Sequence, residues 1–291
     1  MSSTRFAVNH RTFYRYTRDM TVAYNRAHLL PRTTNHQHVL HHLLVIDPPP
    51  DDRWDTTDTD GNLVTYFSLE RPHQHLEVSA SSEIELGDRR AIPAGALEPW
   101  EAVVGAIDAS AGADLAFRFD SPLVRRSAEL AAYAAESFEP GRPLLEAITD
   151  LTSRIFTELT YLPGSTTVST PAEEVLHRRQ GVCQDFAHLA GGCLRSLGLA
   201  ARYVSGYLET SPPDGEPALV GAAASHAWCS VRLADGSWLD FDPTNDLVQP
   251  AQHLTVAWGR DYGDVAPVSG VVFGNGGSST LEVAVDVVRL S

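Results

Sequence analysis

The period of the apolar pattern changes twice along this chain, and that change bounds the fold more tightly than any single motif. Up to about residue 86 the pattern is strand-like. His75 to Leu86 alternates with period two, and Val39–Ile46 and Asn62–Leu69 are further β-rich runs. Arg11-Thr12-Phe13-Tyr14-Arg15-Tyr16 interleaves basic and aromatic residues, while Pro48 to Asp52 and Asp58 to Asn62 are turn clusters. Residues 1–86 therefore predict a small β-sandwich domain. Residues 87–121, with Pro93, Gly95, Pro99, Gly105 and Gly112, predict a linker with short helical pieces.

From residue 122 the period becomes helical. Helices are expected over Pro122–Ser137 and Pro143–Leu159, the second with Leu144, Ile148, Leu151 and Ile155 on one face. Thr170-Pro171-Ala172-Glu173 predicts a capped helix start with Thr170 as N-cap. A further helix starts at about Cys183 and ends at Gly198. Strands follow at Ala200–Leu208, His226–Leu233, Trp238–Phe241, Leu254–Trp258 and Leu281–Leu290. Helices followed by antiparallel strands make residues 122–291 an α+β domain.

Composition removes several functions. All 22 basic residues are arginine against 37 acidic ones, for a net charge of −15 at pH 7. Without lysine there is no Schiff-base chemistry and no phosphate-loop lysine. So acidic a chain is a poor partner for nucleic acid or an anionic membrane. Three cysteines form no disulfide framework and suit a reducing compartment. Met1 to Met20 holds no apolar signal core, and no run reaches membrane-spanning length, so a cytoplasmic protein is expected.

The chemistry centres on Cys183. It falls in the first turn of its helix, where free amide N–H groups and the dipole favour a thiolate. Cys193 lies in the apolar stripe of the same helix and Cys229 lies mid-strand, so both read as structural. A nucleophilic cysteine needs a base and the base needs an orienter. His188 is five residues on, roughly 140° around the helix, and poorly placed. His226 and Asp242 are better, provided that the turn at Asp235-Gly236 has three residues, Ala234 to Gly236. That register sets Asp242 opposite Trp228, so His226 and Asp242 share a face. It also gathers Cys229, Val231, Leu239 and Phe241 on the apolar side. Asp242 could equally cap the turn Pro243-Thr244-Asn245, or do both.

These segments resemble bacterial transglutaminase-like proteins. Gly181-Val182-Cys183-Gln184-Asp185-Phe186-Ala187-His188 is similar to their nucleophile segment, and Ala201-Arg202-Tyr203-Val204-Ser205-Gly206-Tyr207 to the strand after it. Ser225-His226-Ala227-Trp228 is similar to the histidine segment, and Phe241-Asp242-Pro243-Thr244-Asn245 to the aspartate segment. Gly259-Arg260-Asp261-Tyr262 and Asp264-Val265-Ala266-Pro267 match a later segment, and residues 1–86 resemble the β-rich domain that often precedes this core. The resemblance implies a papain-like α+β core with Cys183 as nucleophile, His226 as base and Asp242 as orienter.

Attack of the thiolate on an amide would give a thioester. Water as acceptor makes a cysteine peptidase or amidase, the leading reading. An amine makes a protein-glutamine acyltransferase, and a peptide-binding module without catalysis is the remaining alternative. The Cys183 backbone N–H is one oxyanion donor. Tyr161 and Gln184 are side-chain candidates, while Trp228, Asp261 and Tyr262 are cleft candidates. No cofactor is expected. His36, His38 and His42 would share a strand face, but no carboxylate or cysteine with ligand spacing is near, so no metal is expected there. The acidic Asp58–Asn62 run lacks the glutamate of a calcium loop and reads as a turn. The expected partner is a peptide or protein amide. Where the acidity reaches the cleft rim, basic or neutral peptides should be preferred.

Overall fold

The computed structural model describes residues 3–87, 92–108, 112–212, 219–222, 224–274 and 276–290. The first five strands are β1 (Thr4–Ala27), β2 (Gln37–Asp47), β3 (Asp52–Thr57), β4 (Leu63–Leu69) and β5 (His73–Leu86). In β5 every second residue from Leu76 to Leu86 is buried, as its period requires. The long β1 lies at the centre. Its first half pairs with β5, and β5 with β2; its second half pairs with β4, and β4 with β3. Register slips between Arg15 and Met20 and between Met20 and Val22 mark where the two halves diverge. Leu44, Ile46, Leu76 and Val78 from one half share a core with Ala23, Ala27, Phe67 and Leu69 from the other. The sandwich read from the sequence is thus one continuous sheet whose halves enclose a core.

The segment read as a linker contains α1 (Trp100–Asp108). Residues 88–91 and 109–111 of it lie outside the described residues. Ala96, Val103, Ile107 and Phe117 bury themselves in the main core, so the segment is part of the packed body.

The core continues with α2 (Ala128–Ala135), α3 (Leu144–Glu158), β6 (Thr160–Tyr161), α4 (Ala172–Arg178), β7 (Gln180–Gly181) and α5 (Cys183–Ser196). After them come β8 (Ala201–Tyr207), β9 (His226–Arg232), β10 (Trp238–Asp242), β11 (Leu247–Val248), β12 (Leu254–Gly259) and α6 (Tyr262–Val265). The second sheet runs in the order β11-β10-β9-β8-β12, all antiparallel. Helix α5 packs on β8 and β9, and α2, α3 and α4 surround it. Among the described residues no helix is long and apolar enough to cross a membrane.

Two helix starts differ from expectation. Helix α2 begins at Ala128, because Ser127 is its N-cap and accepts the Leu130 N–H. Helix α4 begins after Pro171, and the Thr170 hydroxyl accepts the Thr167 N–H instead of capping it.

The last strands, β13 (Val268–Gly274) and β14 (Ser279–Leu290), do not extend the second sheet. Both pair with the free edge of β1. The strand read at Leu281–Leu290 is real, but hydrogen bonding returns it to the first sheet rather than to the domain drawn as 122–291.

Two side-chain amides join the sheets. Gln37 donates to Thr255 O at 2.7 Å and accepts from Thr255 N at 2.8 Å. Asn62 treats Trp258 the same way, at 2.8 and 3.0 Å. Strand β12 is the edge of its sheet, so each amide stands in for a missing neighbouring strand. Gln37→Leu would leave two buried backbone groups of Thr255 unpaired. It is expected to cost about 3 kcal/mol, read as a lower denaturation midpoint.

Candidate functional site

Four elements meet at Cys183. Parallel pairing of β6 with β7 sets Tyr161 beside Gly181, and α5 opens directly afterwards with Cys183 as its first residue. Val182 is extended and marks the helix start. Its N–H is held by Asp185 Oδ2 at 2.8 Å, and Thr166 Oγ1 donates to the same oxygen at 2.6 Å. Cys183 is 9% exposed. It belongs to an apolar cluster with Ala187, Tyr203 and Ala227, to which Phe6, Val8 and Val287 of the first sheet also contribute.

The hairpin between β9 and β10 has the three-residue register. Trp238 pairs with Arg232, Asp240 with Ser230, and Phe241 with Cys229. The Leu233 N–H donates to Ser237 O across the turn, and Gly236 takes the left-handed conformation at φ 85°. His226 and Asp242 therefore face each other, both without side-chain exposure, with His226 Nε2 2.8 Å from Asp242 Oδ2. With Nε2 occupied, Nδ1 is the ring nitrogen left over, buried and without a hydrogen-bond partner.

Asp242 both meets His226 and caps the turn that follows it. Its Oδ1 accepts the Thr244 N–H at 2.9 Å and caps the turn. Its Oδ2 accepts from Asn245 Nδ2 and from His253 Nε2, each at 2.8 Å, besides His226. Burial opposes ionisation of Asp242, yet the charges and hydrogen bonds of His226 and His253 hold it well below the usual carboxylate range. Burial alone would lower His226. The charge and hydrogen bond of Asp242, with the Cys183 contact, outweigh it and raise His226 from 6.5 to about 10. Burial pushes the Cys229 thiol up to about 12 and Cys193 higher still. Both are fully buried, as structural cysteines would be.

The remaining candidates separate. Tyr161 is half-buried against Phe186, and its acidity is weakened by burial and by Cys183. Tyr262 packs edge-on against Tyr203, over the cluster that contains Cys183. Gln184 spends a side-chain donor on Val168 O at 3.1 Å. Trp228 is fully buried behind His226, its ring stacked on the imidazole at 6.2 Å, so it backs the histidine rather than lining a cleft. Asp261 is a cap. Its two oxygens accept the Gly263 and Leu123 N–H groups, and it is 1% exposed. His188, neutral through burial, accepts the Tyr262 N–H at 3.1 Å.

His226, Asp242 and His253 are also the one group, among the described residues, close enough together to hold a metal ion. Their 2.8 Å nitrogen–oxygen separations are those of hydrogen bonds, and a cation would have to displace both N–H protons. His36 precedes β2, and a register slip between Val39 and His41 breaks the alternation that would align His38 with His42.

Residues 6–85 match the bacterial transglutaminase-like N-terminal region, and residues 131–243 match the transglutaminase-like superfamily. An uncharacterized protein of Mycobacterium tuberculosis is 43% identical over 295 residues, covering 98% of this chain and 92% of that protein. The chain belongs to the transglutaminase-like superfamily. A second relative, an uncharacterized protein of Mycobacterium leprae, is 35% identical over 99% of both chains. The crystal structure of a "putative cysteine protease" from Cytophaga hutchinsonii superposes with a TM-score of 0.76, covering 100% of this chain and 92% of that one. At 23% identity it shows that the fold is shared.

Reading the sequence did not find His253, Asn245 or the loop at Val220–Gly221. Asn245 exchanges hydrogen bonds with the Val220 backbone while holding Asp242. Gly221, at φ 92°, lies so close to the imidazole that a Cβ there would sit 2.7 Å from His226 Nδ1. The usable signal was a histidine at a strand start, His253 just before Leu254, much as His226 opens β9.

Proposed function

We propose that this transglutaminase-like chain is a cysteine peptidase or amidase working through Cys183, His226 and Asp242. The observation that carries the reading is the Asp242–His226 pair, buried and 2.8 Å apart, which leaves the other imidazole nitrogen unpaired, with Cys183 near enough to be among the groups that raise the ring. In the reaction, His226 takes the Cys183 thiol proton as the sulfur attacks the amide carbonyl carbon, and the carbonyl π electrons move to oxygen. Collapse of the tetrahedral adduct breaks the C–N bond, and His226 gives its proton to the departing nitrogen. The thioester then takes water, from which His226 removes a proton, and the acid and the thiol are released. Asp242 keeps the imidazole oriented and balances its charge.

The Cys183 backbone N–H and the Tyr161 hydroxyl are the proposed oxyanion donors. The β6–β7 pairing supports Tyr161. Tyr161→Phe is expected to lower kcat by about 10² while leaving Cys183 alkylation unchanged. A loss of both would instead mark Tyr161 as a packing residue. Three free cysteines suit a reducing compartment, and we place the enzyme in the cytoplasm.

The test is a peptide library incubated with wild type and Cys183→Ala, with and without a primary amine, and read by mass spectrometry. Cysteine-dependent products that gain one water support the hydrolase. Amine-bearing products that dominate even when water competes support the acyltransferase, which superfamily membership favours as the second reading. No cysteine-dependent product overturns the proposal and leaves peptide binding.

A further inference from the structure

His253 precedes β12 on the far side of β8 from His226, yet it reaches the same carboxylate oxygen. Its Nε2 lies 2.8 Å from Asp242 Oδ2, with both side chains fully buried. Its ring meets Trp228 edge-on at 4.9 Å and His226 at 5.7 Å, while Trp228 stacks on His226. Two imidazoles and an indole thus enclose one carboxylate. A core histidine needing only a partner for its N–H could use any backbone carbonyl. Sharing the oxygen that orients the proposed base is a different arrangement.

We infer that His253 is a positioning residue, sharing Asp242 Oδ2 with His226 and so limiting how firmly the carboxylate holds the His226 proton. The inference rests on the reading of His226 as the base. An oxygen with three donors divides its basicity among them. Without the His253 donor, Asp242 would bind the His226 imidazolium more tightly. The imidazolium would then be a poorer acid toward the departing amine, while the thiol would remain in place. The titratable groups that meet here are His226 on β9, Asp242 on β10, Cys183 on α5 and His253 itself.

The experiment titrates the His226 ring by nitrogen-15 NMR in wild type, His253→Gln and His253→Leu, alongside iodoacetamide alkylation of Cys183. His253→Leu lacks a donor and is expected to keep the His226 proton to a pH about one unit higher. On an amide substrate its kcat should fall about tenfold with KM unchanged, the scale of one hydrogen bond to a charged group. His253→Gln, whose amide N–H can replace Nε2, should titrate like wild type. Identical titrations in all three proteins, or Gln and Leu moving together, overturn the inference. If His253→Leu does not fold, the wild-type spectrum decides, since His253 must carry its proton on Nε2 at neutral pH and a bare Nε2 overturns the idea. Failure of the underlying reading looks different. Cys183 alkylation in an otherwise wild-type protein would then be unaffected by His226→Ala.

Discussion

Cys183→Ala is expected to reduce amide turnover by about 10⁶-fold, to the uncatalysed background, while the protein stays folded. The size follows from the role, since no other thiol can substitute. Cys193 and Cys229 are fully buried, and burial holds both thiols in the protonated form. The fold should survive because the substitution deletes a single sulfur, a small volume that leaves little cavity behind. Turnover together with a thermal melt checks both halves. Residual turnover within about tenfold of wild type would remove Cys183 from the mechanism.

Asp242→Asn is expected to lower turnover by about 10⁴-fold, chiefly in kcat. The carboxylate carries the charge that overcomes burial and raises His226 to about 10. With a neutral amide there, burial dominates and the imidazole loses its proton well below 6.5. The amide NH₂ also confronts donors, because His226, His253 and Asn245 all point hydrogens at this oxygen. The stability consequence has a definite sign. His226 is raised on folding, so its contribution is complete below 6.5 and is lost as pH rises through about 10. Asp242 is depressed, so its contribution is complete above 3.8 and is lost only as pH falls through its lower folded value. In the variant the depressed imidazole makes stability rise with pH up to 6.5, so the gap between wild type and Asp242→Asn should already narrow as pH rises to 6.5 and go on narrowing toward about pH 10. Denaturant titrations at several pH values measure it. A gap that widens with rising pH would contradict the assigned charges.

What could be read from the sequence was local or one hairpin away. The helix start at Cys183 and the parity of His226 and Asp242 depend on a turn of three residues, and Gly236 identifies that turn. The C-terminal strands and His253 depend on pairings between distant segments. Val287 lies against Val8 and Leu254 against Tyr207, and alternation within a strand does not reveal its neighbour. Thr170 failed as a cap for a smaller reason. Its hydroxyl had a nearer donor at Thr167, and either choice satisfies the same local rule. The candidates Trp228 and Asp261 sat in family-like segments, but their polar atoms and rings support the site from behind.

The central claim is that His226 activates the Cys183 thiol. The most direct measurement is the iodoacetamide alkylation rate of each cysteine at neutral pH, resolved by peptide mass, in wild type and in His226→Ala. The expected result is selective reaction at Cys183 that slows about 100-fold in the variant, with Cys193 and Cys229 inert in both. A Cys183 rate that His226→Ala leaves unchanged, or one no faster than those of Cys193 and Cys229, would contradict it.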